Sequence, residues 1–458
     1  MKNMTRFALR SKLSLIALFL ISSLASAQNV ASKGAGVFDS LPQTRQVGQV
    51  AISPDGARVA YTVGGELVVS PADGGSTWTI AVEGKLGVRD VAWSADSKQL
   101  VFLADVPGDA PAAQVWTTDA DGKSPTRRAE LKGWVQSPSF SPDGSRIAVL
   151  FMEGMPRAAG PLEPMTPLAG VIGQKIFEER LTLIDAANTV RQVSPADIYV
   201  YEYDWSPDGK AWFATAAHGS GDANWWVARL YRIQADTGEM REIYHPKWQM
   251  EVPKVSPDGK YVALIEGIMS DAGSNGGDVM LVPTDGSAAR NLTPGIPGSP
   301  ANLSWTAPDE ITFAMVLDGN SAFGKVHVNG SPFENLWSGE EFTATDGSSF
   351  TPAGSFSRDG SVSAIIRESA SQPPEVWAGA TGKWRQLTKL NDGVKAPWGE
   401  MRNVHWMNGN TRVQGWVMLP KDYTPGKTYP LVVSVHGGPS SACQIGRASC
   451  RERVFRRV

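Results

Sequence analysis

One short turn recurs along this chain and restricts its fold more than any other feature. Ser53-Pro54-Asp55-Gly56 returns as Ser94-Ala95-Asp96-Ser97, Ser141-Pro142-Asp143-Gly144, Ser206-Pro207-Asp208-Gly209, Ser256-Pro257-Asp258-Gly259, Thr306-Ala307-Pro308-Asp309 and Ser357-Arg358-Asp359-Gly360. The steps are 41, 47, 65, 50, 50 and 51 residues. Proline presets φ, aspartate can bond the backbone two residues on, and glycine accepts the positive φ that closes the turn. Apolar strands follow, as in Arg58-Val59-Ala60-Tyr61 and Arg146-Ile147-Ala148-Val149. A second turn falls between successive copies, at Asp73-Gly74, Asp121-Gly122, Ala187-Asn188, Thr237-Gly238, Asp285-Gly286, Asn329-Gly330 and Thr381-Gly382. Two hairpin turns per period give four antiparallel strands. One such sheet cannot bury both faces until neighbours stack around an axis, so the pattern predicts an all-β, seven-bladed β-propeller over residues 46–395. An open solenoid is the competing architecture, but no distinct capping repeat is present.

The two ends differ from this body. Lys2, Arg6, Arg10 and Lys12 precede an apolar stretch at 13–24, and Ala25-Ser26-Ala27 follows. That order of basic, apolar and small residues reads as a signal peptide over 1–27, cleaved after Ala27, with residues 28–45 as an N-terminal segment. The apolar stretch is too short for a membrane span, so the expectation is a secreted or periplasmic protein with no membrane association after processing. Both cysteines, Cys443 and Cys450, lie in the last 16 residues, so no disulfide staples the body. The formal net charge is −3 although both ends are basic, which leaves an acidic body and argues against a nucleic-acid partner. His218, His245, His327 and His405 show no metal-ligand spacing, and no metal or other cofactor is expected.

After Leu387-Thr388 the grammar changes. Val404-His405-Trp406 leads through Asn408-Gly409-Asn410 into Arg412-Val413-Gln414-Gly415-Trp416-Val417-Met418. Then Tyr429-Pro430-Leu431-Val432-Val433-Ser434-Val435 runs into His436-Gly437-Gly438-Pro439. An apolar strand that ends in a His-Gly-Gly loop is the start of an α/β-hydrolase sheet, so residues 396–442 read as the truncated beginning of such a domain. The Ser-Pro-Asp-Gly repeats resemble the propellers of the periplasmic TolB protein and of the prolyl oligopeptidase family. The added Gln-Gly-Trp strand, Tyr-Pro-Leu-Val-Val strand and His-Gly-Gly-Pro loop resemble the latter, particularly its acylaminoacyl- and dipeptidyl-peptidase-like members.

The resemblance implies a serine-type peptidase that cleaves short peptides, with the propeller as a substrate-size filter. In that family the second glycine of the loop donates an oxyanion-hole N–H; this maps to Gly438, with His436, Gly437 and Pro439 around it. The family's serine, aspartate and histidine lie further downstream, and no Gly-x-Ser-x-Gly elbow occurs in the 458 residues, so this chain is expected to be inactive. In the dipeptidyl-peptidase branch a glutamate pair from the propeller holds the substrate amine. Glu178 and Glu179 follow the Gly- and Pro-punctuated stretch 152–177 that lengthens the third period, and they are the candidates; the plain alternative is a strand start with both acids in water. A non-catalytic, TolB-like propeller that binds protein partners is the second functional reading. Residues 443–458 carry five arginines and both cysteines, resemble a translated sequencing-adapter oligonucleotide, and read as a non-native tail.

Overall fold

The computed structural model describes residues 43–437 except 85, 109–110, 156–176, 220–221, 274–275 and 348–350, together with residue 442. The segments expected to form the signal peptide and the non-native tail lie outside the described residues.

At six of the seven copies the turn is a closed hydrogen-bond unit. The serine hydroxyl donates to the aspartate Oδ1, at 2.5 Å in Ser53–Asp55 and 2.8 Å in Ser357–Asp359. That oxygen also accepts the N–H two residues further on, 3.1 Å from Ser145 to Asp143. The serine oxygen accepts the N–H that starts the next strand, 3.0 Å from Arg146 to Ser141. Glycine takes the left-handed conformation the closure needs, φ 72° at Gly144, and Ser97 does the same at 63°. The sixth copy differs. Ala307 pairs directly with Glu310, so Pro308-Asp309 is a tighter two-residue loop, and Thr306 Oγ1 bonds Glu310 at 2.9 Å instead.

The strands of a unit follow in chain order from the axis outward, as in Ile198–Trp205, Ala211–His218, Arg229–Gln234 and Met240–Tyr244 of blade 4, and in blade 7 the inner position is split into Phe342–Ala344 and Ser355–Phe356. Blades 2 and 3 share one long strand, Thr126–Phe140, which is the outer strand of the former and the inner strand of the latter. Seven apolar clusters each join one blade to the next, the last joining blade 7 to blade 1 through Val50, Ile52, Ala364 and Val376. Second strands are almost wholly buried, with Ile147, Ala148, Val149 and Leu150 at 0% exposure. Full burial of one such aliphatic side chain contributes about 1.5–3 kcal/mol, which is how the body does without disulfides.

Polar ties repeat at the same interfaces. Outer-strand arginines donate to the carbonyl that ends the third strand of the next blade: Arg128 to Asp185, Arg191 to Ala235, Arg241 to Thr284 and Arg290 to Val328, at 2.7–3.1 Å. Indole N–H groups of Trp93, Trp205 and Trp305, each one residue before its turn, bond the inner strand of the preceding blade at 2.9–3.1 Å. The ring is joined without exchange of a strand. Blades 1 and 7 meet through their cluster, an isolated Gln49–Asp346 bridge, and Asn391, whose side chain accepts from the Arg45 N–H at 2.7 Å and donates to its carbonyl at 3.0 Å.

Beyond the ring, Met401–Asn408 and Thr411–Met418 form a separate hairpin. The apolar run expected to follow as a strand is not one. Leu431, Val432, Val433 and Val435 are 73–89% exposed, and no partner strand flanks them among the described residues to form the ladder a strand needs.

Asp143 and Asp359 have their carboxyls lowered to about 2 by the serine hydroxyls and N–H groups around them. A carboxyl depressed below its usual value near 3.8 contributes stability fully above that value, and the contribution is lost as pH falls toward 2. Asp143→Ala should therefore cost about 1 kcal/mol in denaturant unfolding at neutral pH, with the deficit shrinking between pH 4 and 2; a constant deficit contradicts the assignment. Separately, ending the chain after Asp392 removes the unpaired apolar run and should raise the soluble fraction on expression; unchanged solubility counts against its role as an aggregation hazard.

Candidate functional site

In every blade the Ser-Pro-Asp-Gly turn and the third-to-fourth turn emerge at one end of the sheet. The second-to-third connection and the link to the next blade emerge at the other. Chemistry collects at this second face. Blade 3 leaves it after Ile147–Glu153 and returns through Phe177, which is buried against Met152, Met155 and Tyr199 with Trp134 and Tyr201 beside them.

That anchor carries the next two residues inward, so neither acid is a freely solvated surface group. Glu179 is 2% exposed; its Oε1 accepts from Gln136 Nε2 at 2.8 Å and its carbonyl from the Val200 N–H at 2.8 Å. Glu178 is half-buried, and its Oε2 is shut away from solvent with no hydrogen-bond donor among the described residues. Burial first, and the charge of Asp197 second, push its carboxyl up to about 7. Asp197 faces His218 Nδ1 at 3.2 Å. The neighbouring cation does not neutralise the pair: the Arg180 guanidinium turns to the Ser194 carbonyl and to Gln192 Oε1. The site thus offers a half-buried carboxylate short of a donor, next in the chain to a residue of an aromatic cluster, which suits an ammonium group.

Two further acids on the axis side are structural. Glu202 accepts the Val252 N–H at 2.9 and 3.1 Å, and Glu251 accepts the Gly273 N–H at 2.7 Å. Burial raises both carboxyls, that of Glu251 strongly, with the charge of Glu202 adding to it. Gln49, four residues before its turn serine as Glu202 is before Ser206, does the same for Val91 at 2.6 Å. The reason is an irregularity in the inner strands, which skip register at Arg89/Ala92 and Glu251/Lys254 and free N–H groups that the preceding blade satisfies. Sequence reading missed these residues; their common place before the turn was the available signal.

The C-terminal hairpin sits on the same face, against Asp318-Gly319, the second-to-third turn of blade 6. Of the expected oxyanion loop, His436 is exposed with Nδ1 3.1 Å from the Gly437 carbonyl, and no described atom lies within 4 Å of where a Cβ on Gly437 would stand. Gly438 and Pro439 lie outside the described residues. Among the described residues no cluster of His, Cys, Asp or Glu could hold a metal ion.

Fold and repeats define a seven-bladed propeller followed by a docked β-hairpin. No protein-family model matches the chain. In sequence it is 26% identical over 292 residues to dipeptidyl-peptidase 5 of Aspergillus fumigatus, a match covering 59% of this chain and 39% of that protein. In structure it resembles an acylaminoacyl peptidase of Pyrococcus horikoshii, with TM-score 0.61, 15% identity and coverage of 85% of this chain and 60% of that one. It also resembles a prolyl endopeptidase, with TM-score 0.57, 16% identity and coverage of 88% and 60%. The chain thus spans about two-fifths of the curated relative and three-fifths of the solved ones. It is similar in sequence to a dipeptidyl-peptidase and shares its propeller fold with these peptidases.

The raised Glu178 carboxyl has a stability signature. A folded value near 7 against an ordinary 4.5 means that the folded protein holds a proton the unfolded chain has released, so stability falls as pH rises through that window. Glu178→Gln should match the parent at pH 4.5 and exceed it progressively to pH 7 in denaturant midpoint; parallel pH profiles would contradict the burial of this group.

Proposed function

We propose that this chain is the N-terminal part of an exported serine-type peptidase that hydrolyses short peptides, and that Glu178 with Glu179 receives the free amine of the substrate. The observation that carries the reading is the donor-poor Glu178 carboxyl, on the face against which the C-terminal hairpin docks. A peptide ammonium placed there supplies both a donor and an opposite charge. Its binding favours the ionised carboxylate and so draws the Glu178 carboxyl back down. Phe177, Trp134 and Tyr201 provide the apolar walls that make such a charge pair worth more than it is in open water. The basic, apolar and small residues of 1–27 support export.

The chemistry belongs to groups beyond this sequence. A serine activated by a histidine would attack the scissile carbonyl, with the Gly438 N–H directed at the developing oxyanion. The propeller restricts access: seven packed interfaces around one axis admit an extended peptide more readily than a folded domain.

The 458-residue chain should show no turnover of chromogenic aminoacyl, dipeptidyl or prolyl substrates. It should bind free-amine dipeptide amides, seen by ligand-observed NMR, more tightly as pH rises from 6 to 7.5, while N-acetylated counterparts fail to bind. Glu178→Gln should remove most of the pH dependence, with Glu179, Arg180, Asp197 and His218 left as the ionisable groups around it. Equal binding of acetylated and free peptides overturns the amine assignment, and turnover by this chain overturns the placement of the nucleophile.

A further inference from the structure

We infer that Asp318 of blade 6 is a positioning residue, the seat that fixes the C-terminal hairpin, and with it the hydrolase domain that hairpin would begin, on the propeller. The inference rests on the peptidase reading only for the domain beyond the hairpin. Asp318 and Gly319 have φ 53° and 85°, so the turn has two consecutive left-handed residues, and it joins Glu310–Leu317 to Asn320–His327. Aspartate tolerates that conformation better than most side chains do. Here its carboxylate gathers three hydrogen bonds from the hairpin. Arg412 is bidentate at 2.9 and 3.0 Å, and His405 Nε2 lies 2.9 Å from the same carboxylate.

The backbone adds to the seat. Asn403 Nδ2 donates to the Asp318 carbonyl at 3.0 Å, and Gln414 Nε2 donates to Asn403 Oδ1 at 2.8 Å, so four hairpin side chains converge on one turn. The left-handed φ of 85° favours glycine beside them, and a Cβ there would push the Gln414 amide aside. Arg412, with His405 after it, holds the Asp318 carboxyl below its ordinary value.

Among the described residues no apolar cluster joins 401–418 to the ring; the eight clusters there are built from blade residues and their connections. The seat is therefore polar and open to solvent, with Arg412 57% and Asp318 38% exposed. Exposed pairs contribute little each and weaken with salt, so this contact locates the hairpin without welding it.

Hydrogen–deuterium exchange of the full chain tests the seat directly, because a lone two-stranded hairpin is marginal in water and its protection reports docking. Asp318→Asn keeps the turn conformation, and Arg412→Met lies outside the turn. Each should speed exchange across 401–418 by about three- to tenfold while 310–327 is unchanged. Raising salt to about 1 M, where the screening length is roughly 3 Å, should do the same to the parent and add little to the variants. Unchanged hairpin exchange in both variants, loosening of 310–327 by Arg412→Met, or a parent hairpin that exchanges as fast as 431–435 would each overturn the inference. This readout needs neither substrate nor turnover, so it stands or falls apart from the amine assignment.

Discussion

A four-stranded antiparallel sheet with apolar side chains on both faces cannot stand alone in water, and the rest of this molecule depends on that constraint. Each of the seven sheets buries its two faces against two neighbours, which turns seven marginal units into one ring. The turns serve that arrangement. A serine and an aspartate that satisfy each other and three backbone groups close the inner hairpin at a fixed geometry, so the second strand enters the core in register. Arginines on the outer strands and tryptophans on the inner ones then tie neighbouring blades at their polar edges, where packing alone would leave carbonyls without donors.

The same architecture explains why acids are buried near the axis. Inner strands that skip register expose N–H groups, and a side chain from the preceding blade must accept them. Glu202 is tolerated because it accepts such a backbone donor, and Glu251 because it accepts the Gly273 N–H of its own blade's second-to-third connection. Glu178 is different in kind: it is disfavoured by burial and by Asp197, yet among the described residues its Oε2 holds up no backbone group. A side chain kept in a costly state with no structural return is a candidate for ligand contact.

Much of this was legible in the sequence because it is local. Turn chemistry, the seven-fold count and the positive φ at Gly74, Gly122, Asn188 and Gly286 all depend on residue types within four positions of one another. The sixth copy departed because Pro308-Asp309 lacks the serine–aspartate spacing, a difference visible in the residues themselves. What could not be read was non-local. The burial of Glu179 depends on Gln136 and Val200, and the seat of the hairpin depends on Asp318 and Arg412, which are 94 residues apart. The run 429–435 has the composition of a strand but not its neighbours, and composition cannot supply a ladder.

The central claim is that one face of this propeller recognises the amino end of a peptide beside Glu178. Photo-affinity labelling of the chain with a free-amine dipeptide amide that carries a diazirine measures it most directly. The account predicts label on the segments containing Phe177 to Arg180 and Tyr199 to Tyr201, competed by unlabelled free-amine dipeptide. Label on the Ser206–Asp208 or Ser256–Asp258 turns of the opposite face, or equal labelling by an N-acetylated probe, would contradict it.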